Sequence, residues 1–402
     1  MTPVPQALSR REMLGLLAGA AALTATGCTS VARGSTRRPA ASSARLSAAV
    51  APIDGPHPTP RPGGPGPWTD RNLGMNLAWL NDHHGGQRAN WLSSGFDPAL
   101  VAGDLEVLAA LGIRRVRAFC PIESVMAYDG STFALDAERA GNLHSFLDMA
   151  DRLGISIIPV LADGHVDSPS QSLDGKFRWE LVMEPSGIDV YRRAVAAYVT
   201  EFRRHDNVFF WELHNEPYGN LTWSPVPQKL GVTRVMTHGY LVAAYHAAKE
   251  LSGSTPVGFS DLEEEQQNKY RLFSVPSRRA ALIDDCTDVY ALHIYRAFVS
   301  QLGDFSHLKG KPKWCVELGD YNYYDPTGDD HNDLPAFNQL DKERPNFVAF
   351  TSLAGALQRM GFTLFMPWSM ADNIGMFVHE ADGKHVVKEL PRWMAGEILA
   401  SS

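Results

Sequence analysis

Cysteine is scarce, 4 in 402 residues, which excludes a fold held together by a disulfide framework. Basic charge is in deficit: 37 Lys+Arg stand against 45 Asp+Glu, a net charge of −8. That balance argues against nucleic acid as a main partner. The one sustained apolar run, Leu14–Thr26, falls short of the roughly 20 residues that a permanent membrane-spanning helix needs. Also missing are a Gly-x-Ser-x-Gly nucleophile elbow and a His-x-x-x-His or paired-Cys metal pattern. What is present is a 44 % apolar composition, enough for a sizeable core. A folded enzyme or binding protein remains.

The N-terminal 70 residues differ from the rest. Ser9-Arg10-Arg11-Glu12-Met13-Leu14 is a twin-arginine export pattern, and the apolar run after it ends in Ala25-Thr26-Gly27-Cys28. That ending resembles a bacterial lipobox, so residues 1–28 are expected to be a signal and Cys28 a lipidation site. A cell-envelope lipoprotein or a freely secreted protein follows, with membrane contact only through Cys28. Residues 29–67, rich in Ala, Ser, Pro, Gly and Arg, bury too little to offset their ordering entropy and read as a disordered linker. Residues 1–70 carry 7 Arg, no Lys and 3 acids, whereas the remainder holds 30 basic and 42 acidic residues. The acidic remainder suits a neutral substrate. Cys120, Cys286 and Cys315 sit in or beside apolar runs and are expected to be buried free thiols.

From Arg71 onward, β-branched and aromatic runs alternate with amphipathic stretches, the signature of βα units and a parallel sheet. Strands are predicted at Leu73–Trp79, Arg114–Phe119, Ser156–Leu161, Val208–His214, Pro256–Ser260, Val289–Tyr295, Lys313–Leu318 and Thr363–Trp368. Helices are predicted at Ala99–Leu111, Ala137–Leu153, Asp189–Arg204, Tyr240–Leu251, Phe347–Met360 and Pro391–Ala400. Glycine directly after Leu111, Leu153 and Met360 supplies the stop signals. A doubly wound fold would need a Gly-rich phosphate turn after its first strand, and Leu73-Gly74-Met75-Asn76 is not one. The prediction is a single-domain (β/α)8 TIM barrel over 68–402, acting as a monomer.

Chemistry on such a barrel sits at the C-terminal strand ends. The fourth predicted strand ends Trp211-Glu212-Leu213-His214-Asn215-Glu216-Pro217, and the seventh ends Val316-Glu317-Leu318-Gly319. Arg117 lies on the second, Asp163 and His165 follow the third, His293-Ile294-Tyr295 ends the sixth and Trp368 the eighth. At about 31 residues per βα unit, Glu216 and Glu317 face each other across one mouth. Such a pair suits glycosidic-bond cleavage, one carboxyl protonated to serve the leaving oxygen and one ionised.

These strand ends resemble glycoside hydrolase clan A, most closely the cellulase/mannanase-like family 5, over roughly residues 71–400. The resemblance implies Glu216 in Asn215-Glu216-Pro217 as acid/base and Glu317 as nucleophile of a retaining enzyme. It implies Asn215 on the sugar 2-OH, Tyr295 of the His293-x-Tyr295 pair orienting Glu317, and Trp368 flooring the subsite of the cleaved sugar. Gly112-Ile113-Arg114-Arg115-Val116-Arg117 matches the second-strand pattern, placing Arg117 in the site. Leu161-Ala162-Asp163-Gly164-His165 departs from the family's spacing, and His165 is carried as a substrate contact, as is Trp79. No cofactor and no metal are implied; the partner is a β-linked oligo- or polysaccharide.

Other readings stand beside these. Glu212 shares strand parity with His214 and Glu216, so it is expected to point inward and pair with a base such as Arg117. Asp82-His83-His84 and Asp329–Asp333 read as solvated loops. Trp79, Trp91, Trp179, Trp223, Tyr321, Tyr323 and Tyr324 lie near the predicted mouth, where about half are expected to line a glycan groove. A non-catalytic membrane-tethered glycan-binding barrel and an envelope-glycan transglycosylase are the alternative functions.

Overall fold

The computed structural model describes residues 68–77, 91–93, 95–164, 177–262, 284–295, 299–306, 308–319, 340–367, 378–381, 384–387 and 394. Cys28, Trp79, His165, Trp368, Tyr321, Tyr323, Tyr324, the two acidic-histidine loops and most of the predicted last helix lie outside them.

Eight parallel strands form the central sheet: β1 Met75–Leu77, β2 Arg115–Phe119, β3 Ser156–Val160, β4 Trp211–Asn215, β5 Val257–Leu262, β6 Tyr290–Tyr295, β7 Lys313–Gly319 and β8 Phe362–Pro367. Each pairs with its neighbour in chain order. The first and last meet through a parallel bridge of Leu73 to Phe365, with Gly74 N donating to Phe365 O at 2.9 Å and Phe365 N to Asn72 O at 2.7 Å. The result is a nearly closed (β/α)8 barrel, and all eight predicted strands belong to it.

The barrel interior and the layer under the helices are separate cores. Ile158, Phe210, Ala291, Trp314, Val316, Leu364 and Met366 fill the interior, while Trp211, Leu213, Cys315 and Leu318 belong to the larger core beneath the helices. This alternation is the period-2 pattern of strands, and it breaks at two places that matter. In β4, Glu212 pairs with Gly258 but Asn215 pairs with Ser260, three residues against two. In β7, Cys315 pairs with Leu292 but Glu317 pairs with His293, two against one. Each irregularity is a β-bulge, which re-aims the side chain that follows it.

Among the described residues five long helices pack outside: α1 Pro98–Ala110, α2 Ala137–Arg152, α3 Pro185–Phe202, α4 Arg234–Lys249 and α5 Leu340–Arg359. Asp97 caps α1 by accepting from Ala99 N at 2.9 Å and Leu100 N at 3.2 Å, and Asp136 caps α2 from Glu138 N and Arg139 N. These contacts satisfy amides that no helical carbonyl reaches. The glycines predicted to stop α1, α2 and α5 take positive φ. The helices at α3, α4 and α5 begin four to seven residues before their predicted starts, because Pro185 and the Thr233 cap set the first turns of α3 and α4, not the apolar period. Two hairpins were not predicted, Met126–Tyr128 with Phe133–Leu135 and Val378–Ala381 with Lys384–Val387. Among the described residues no helix is long and apolar enough to cross a membrane.

Candidate active site

The polar layer above the apolar plug begins with Arg117, fully buried on β2. Its Nε and Nη2 form a fork on Glu212 at 2.7 and 2.5 Å, the bidentate geometry that favours Arg over Lys. Nη1 reaches Glu317 Oε1 at 2.6 Å and Asn76 Oδ1 at 3.0 Å, and Nη2 reaches Asn215 Oδ1 at 2.6 Å. One guanidinium therefore serves two buried carboxylates, and each needs a further donor. Glu212 takes the Ser260 hydroxyl at 2.5 Å; Glu317 takes the Tyr295 hydroxyl at 2.5 Å on Oε2.

The bulges explain why both glutamates reach this layer. In β7, Trp314 and Val316 already face inward, so plain alternation would turn Glu317 toward the helices. The slip after Val316 brings it opposite His293. In β4 the extra residue sends His214 outward, against the rings of Phe177, Trp179 and Tyr240, and turns Asn215 inward. The parity expected of Glu212, His214 and Glu216 thus fails at His214, which belongs to the layer under the helices. Glu216 then takes φ +49°, the single positive φ among described non-glycine residues. A non-glycine residue in that region costs about 1–3 kcal/mol and clusters at functional sites. The turn is held by Glu216 N donating to Ser260 O at 2.8 Å and by Asn220 N donating to Glu216 O at 2.9 Å.

His293 joins the two carboxyls. Its Nδ1 lies 2.5 Å from Glu216 Oε1 and 3.3 Å from Glu317 Oε2. One oxygen of each glutamate and the His293 nitrogen all fall within 4.8 Å of one another. Three residues of the cluster could coordinate a cation, but Glu317 Oε1 already accepts from Arg117 and Oε2 from Tyr295, so its donor chemistry is committed to hydrogen bonds.

Burial pushes the Glu317 carboxyl above its ordinary range, and neighbouring Glu216 adds to this; His293, Arg117 and the Tyr295 hydroxyl pull the other way. Burial lowers His293, but the two carboxylates outweigh it, and the imidazole ends above its usual value. Asp261, at the end of β5, is pushed up to about 7 by burial and by Glu216. It accepts from Tyr218 N at 2.9 Å and Gly219 N at 3.2 Å, holding the chain that leaves Glu216.

The structure thus brings together Arg117, Asn215, Glu216, His293, Tyr295 and Glu317. Of the aromatics near the predicted mouth, Trp91 and Trp179 are among those that pack into the core. Trp91 is 2 % and Trp179 0 % exposed; Trp91 donates to Phe119 O at 2.7 Å and packs edge-on against Phe146. Asn76 and Ser260 were not singled out from the sequence, though each is a polar residue inside an apolar strand. Asp163 bonds the Asn215 amide at 3.2 Å, which orients Asn215 with its oxygen toward Arg117.

The architecture is a (β/α)8 barrel. No family model matches the chain, and no curated protein does. Solved structures match: an exo-β-1,4-mannosidase from Opitutaceae bacterium strain TAV5 superposes with a TM-score of 0.59 at 13 % identity, over 82 % of this chain and 59 % of that one. A GH5_18 variant from Streptomyces cattleya, in complex with Manb1-4GlcNAc, gives 0.57 at 16 % identity over 82 % and 80 %. The AHE enzyme from Alicyclobacillus herbarius gives 0.56 at 14 % identity over 83 % and 97 %. At these identities the likeness establishes the fold, and the family-5-like members among these neighbours agree with the strand-end resemblance.

Proposed function

We propose that the protein is a retaining glycoside hydrolase that cleaves a β-linked oligo- or polysaccharide, with Glu317 as nucleophile and Glu216 as acid/base. The observation that carries this reading is that one oxygen of each carboxyl lies within 4.8 Å of the other, with the two groups in unlike settings, which leaves no room between them for the water an inverting enzyme needs. A retaining pair needs about 5–5.5 Å, and an inverting pair about 6.5–9.5 Å to admit a water. Glu317 is flanked by Arg117 and the Tyr295 hydroxyl, donors that favour a carboxylate. Glu216 instead faces the His293 imidazole, whose Nδ1 lies 2.5 Å from its Oε1 and whose pKa is raised by the two carboxylates, so a proton is held beside the position of the leaving group.

In the first step a Glu317 oxygen bonds to the anomeric carbon as the glycosidic C–O bond breaks. Its electron pair goes to the departing oxygen, which takes the Glu216 proton. In the second step water attacks the same carbon, Glu216 takes its proton and Glu317 is released ionised. Asn215, with its amide held by Asp163 and Arg117, is placed beside the pair to meet the sugar 2-OH. Two of the named neighbours, an exo-β-1,4-mannosidase and a protein in complex with Manb1-4GlcNAc, act on or bind mannosyl sugars, which makes such disaccharides the first substrates to test.

Glu317→Gly and Glu216→Ala decide the roles. Each lowers activity on aryl β-glycosides by about 10³-fold or more. Azide restores both with opposite products: an α-glycosyl azide from Glu317→Gly, by one inversion, and a β-glycosyl azide from Glu216→Ala, by capture of the glycosyl-enzyme. Near-wild-type rates in either variant, or the same anomer from both, would overturn the assignment.

A further inference from the structure

Outside the active site, the described residues include two histidine clusters with different spacing. Between α2 and α3, His144 Nδ1 lies 2.7 Å from His205 Nε2 and His144 Nε2 lies 2.9 Å from Glu201. Those are closed hydrogen bonds, each filled by a proton. Next to α4 the spacing is wider. His238 Nε2 lies 3.4 Å from Asp285 Oδ2, and its other nitrogen, Nδ1, lies 3.3 Å from the Tyr218 hydroxyl. Cys286, fully buried, adds a thiol that hydrogen-bonds Asp285, and donor atoms of His238, Asp285 and Cys286 all lie within 4.8 Å of one another.

A charge-assisted N–H···O⁻ bond closes to about 2.7–2.9 Å, so 3.4 Å is long for His238 and Asp285. It matches another geometry. Two ligands bonded at about 2.0–2.1 Å to one tetrahedral zinc stand about 3.3–3.4 Å apart. The donor set is one imidazole, one carboxylate and one sulfur, which suits zinc and related transition metals and not the oxygen-seeking Mg²⁺ or Ca²⁺.

We propose that His238, Asp285 and Cys286 form a structural site for a zinc-class divalent cation, with solvent as the fourth ligand. Asp285, whose side chain is 55 % exposed, gives the ion its way in. His238 ligates through Nε2, and its Nδ1–H donates to the Tyr218 oxygen, the outer contact that fixes the ring and its tautomer. Binding deprotonates the Cys286 thiol and releases one proton to solvent, leaving a thiolate and a carboxylate against the 2+ ion. The ion ties α4 to the segment entering β6. Through Tyr218, two residues beyond Glu216, it also braces the turn that presents that carboxyl.

The test uses the full chain, stripped with chelator and titrated with Zn²⁺ by calorimetry in two buffers of different ionisation enthalpy, with bound zinc counted after dialysis. The expected result is one zinc per chain and one proton released. Affinity falls at least 100-fold in Asp285→Asn and Cys286→Ser, and about 10-fold in Tyr218→Phe. Asp285→Asn alters a half-exposed side chain and decides the matter alone if the buried Cys286→Ser variant fails to fold. No zinc retained by the wild-type chain overturns the proposal, as does equal retention by Asp285→Asn. Loss of zinc in Glu216→Gln with retention in Asp285→Asn also overturns it, by moving the ion to the carboxyl pair. None of these outcomes depends on whether the barrel cleaves a glycoside.

Discussion

Glu317 sits among opposing influences, and single side chains decide which state it holds. Burial and Glu216 raise its pKa, while His293, Arg117 and the Tyr295 hydroxyl lower it. A nucleophile has to be ionised, so activity rises as pH climbs through this raised value. The acidic limb of kcat/KM therefore lies above the ordinary carboxylate range, and the basic limb follows loss of the proton from His293, which the two carboxylates raise. Tyr295→Phe removes one stabilising donor at 2.5 Å. A hydrogen bond to a charged group contributes about 1.5–3 kcal/mol, so kcat/KM near neutral pH drops about 10–100-fold. The sign of the shift is fixed: without the hydroxyl the Glu317 pKa rises further, and the acidic limb moves to higher pH. A full pH profile checks this, and an unmoved limb would place Tyr295 outside the nucleophile's control.

At the scale of elements, the pairing of β6 with β7 holds the nucleophile's partners in register. Tyr295 lies opposite Gly319 and His293 opposite Glu317, and a Cβ on Gly319 would meet the Tyr295 ring at 2.3 and 2.4 Å. Only a residue without a side chain lets that ring lie flat enough for its hydroxyl to reach Glu317. Gly319→Ala displaces the ring, and a misplacement of about 1 Å lowers kcat about 100-fold. Because the effect runs through Tyr295, the Gly319→Ala/Tyr295→Phe double variant is no slower than the slower single variant, a non-additivity that kinetics on all three variants reads directly. The same strands show what was legible in the sequence. Eight β-branched runs, alternating with amphipathic stretches of which three end in glycine, define the barrel because period and punctuation are local properties. The bulges after Glu212 and Val316 arise from the stagger between neighbouring strands, which no single run records. The inward facing of Asn215 and the outward facing of His214 were therefore not readable. Which of the mouth aromatics would pack, as Trp91 and Trp179 do, was unreadable for a related reason: an aromatic beside a strand end looks alike whether it packs under a helix or meets solvent. Arg117, Glu212 and Glu317 were readable as partners because charges inside an apolar strand have to be paired.

For the molecule as a whole, buried acids set how stability responds to pH. Glu123, in the helical turn Ile122–Val125 after β2, is pushed up to about 7 by burial, against the Tyr191 hydroxyl bond and Arg178, which lower it. Asp261 reaches about 7 as well, from burial and Glu216. In the unfolded chain both titrate near the ordinary carboxylate values of about 4. Between those limits the folded protein holds protons that the unfolded chain has given up. This stabilisation is complete below about pH 4 and lost as pH rises through 7. Asp288 acts oppositely: burial raises it, but Lys249 and the Val257 and Tyr245 donors lower it on balance, so its contribution is lost as pH falls into the acid range. Glu123→Gln isolates one of the raised acids, because an amide stays neutral throughout. Its urea midpoint, measured against wild type from pH 5 to pH 8, gains on the wild-type midpoint as pH rises and levels off above pH 7. The change in the difference is the quantity that matters, since the new amide alters local hydrogen bonding equally at every pH. A constant difference across that range would mean that Glu123 is ionised in the folded protein and paired well enough to stay so.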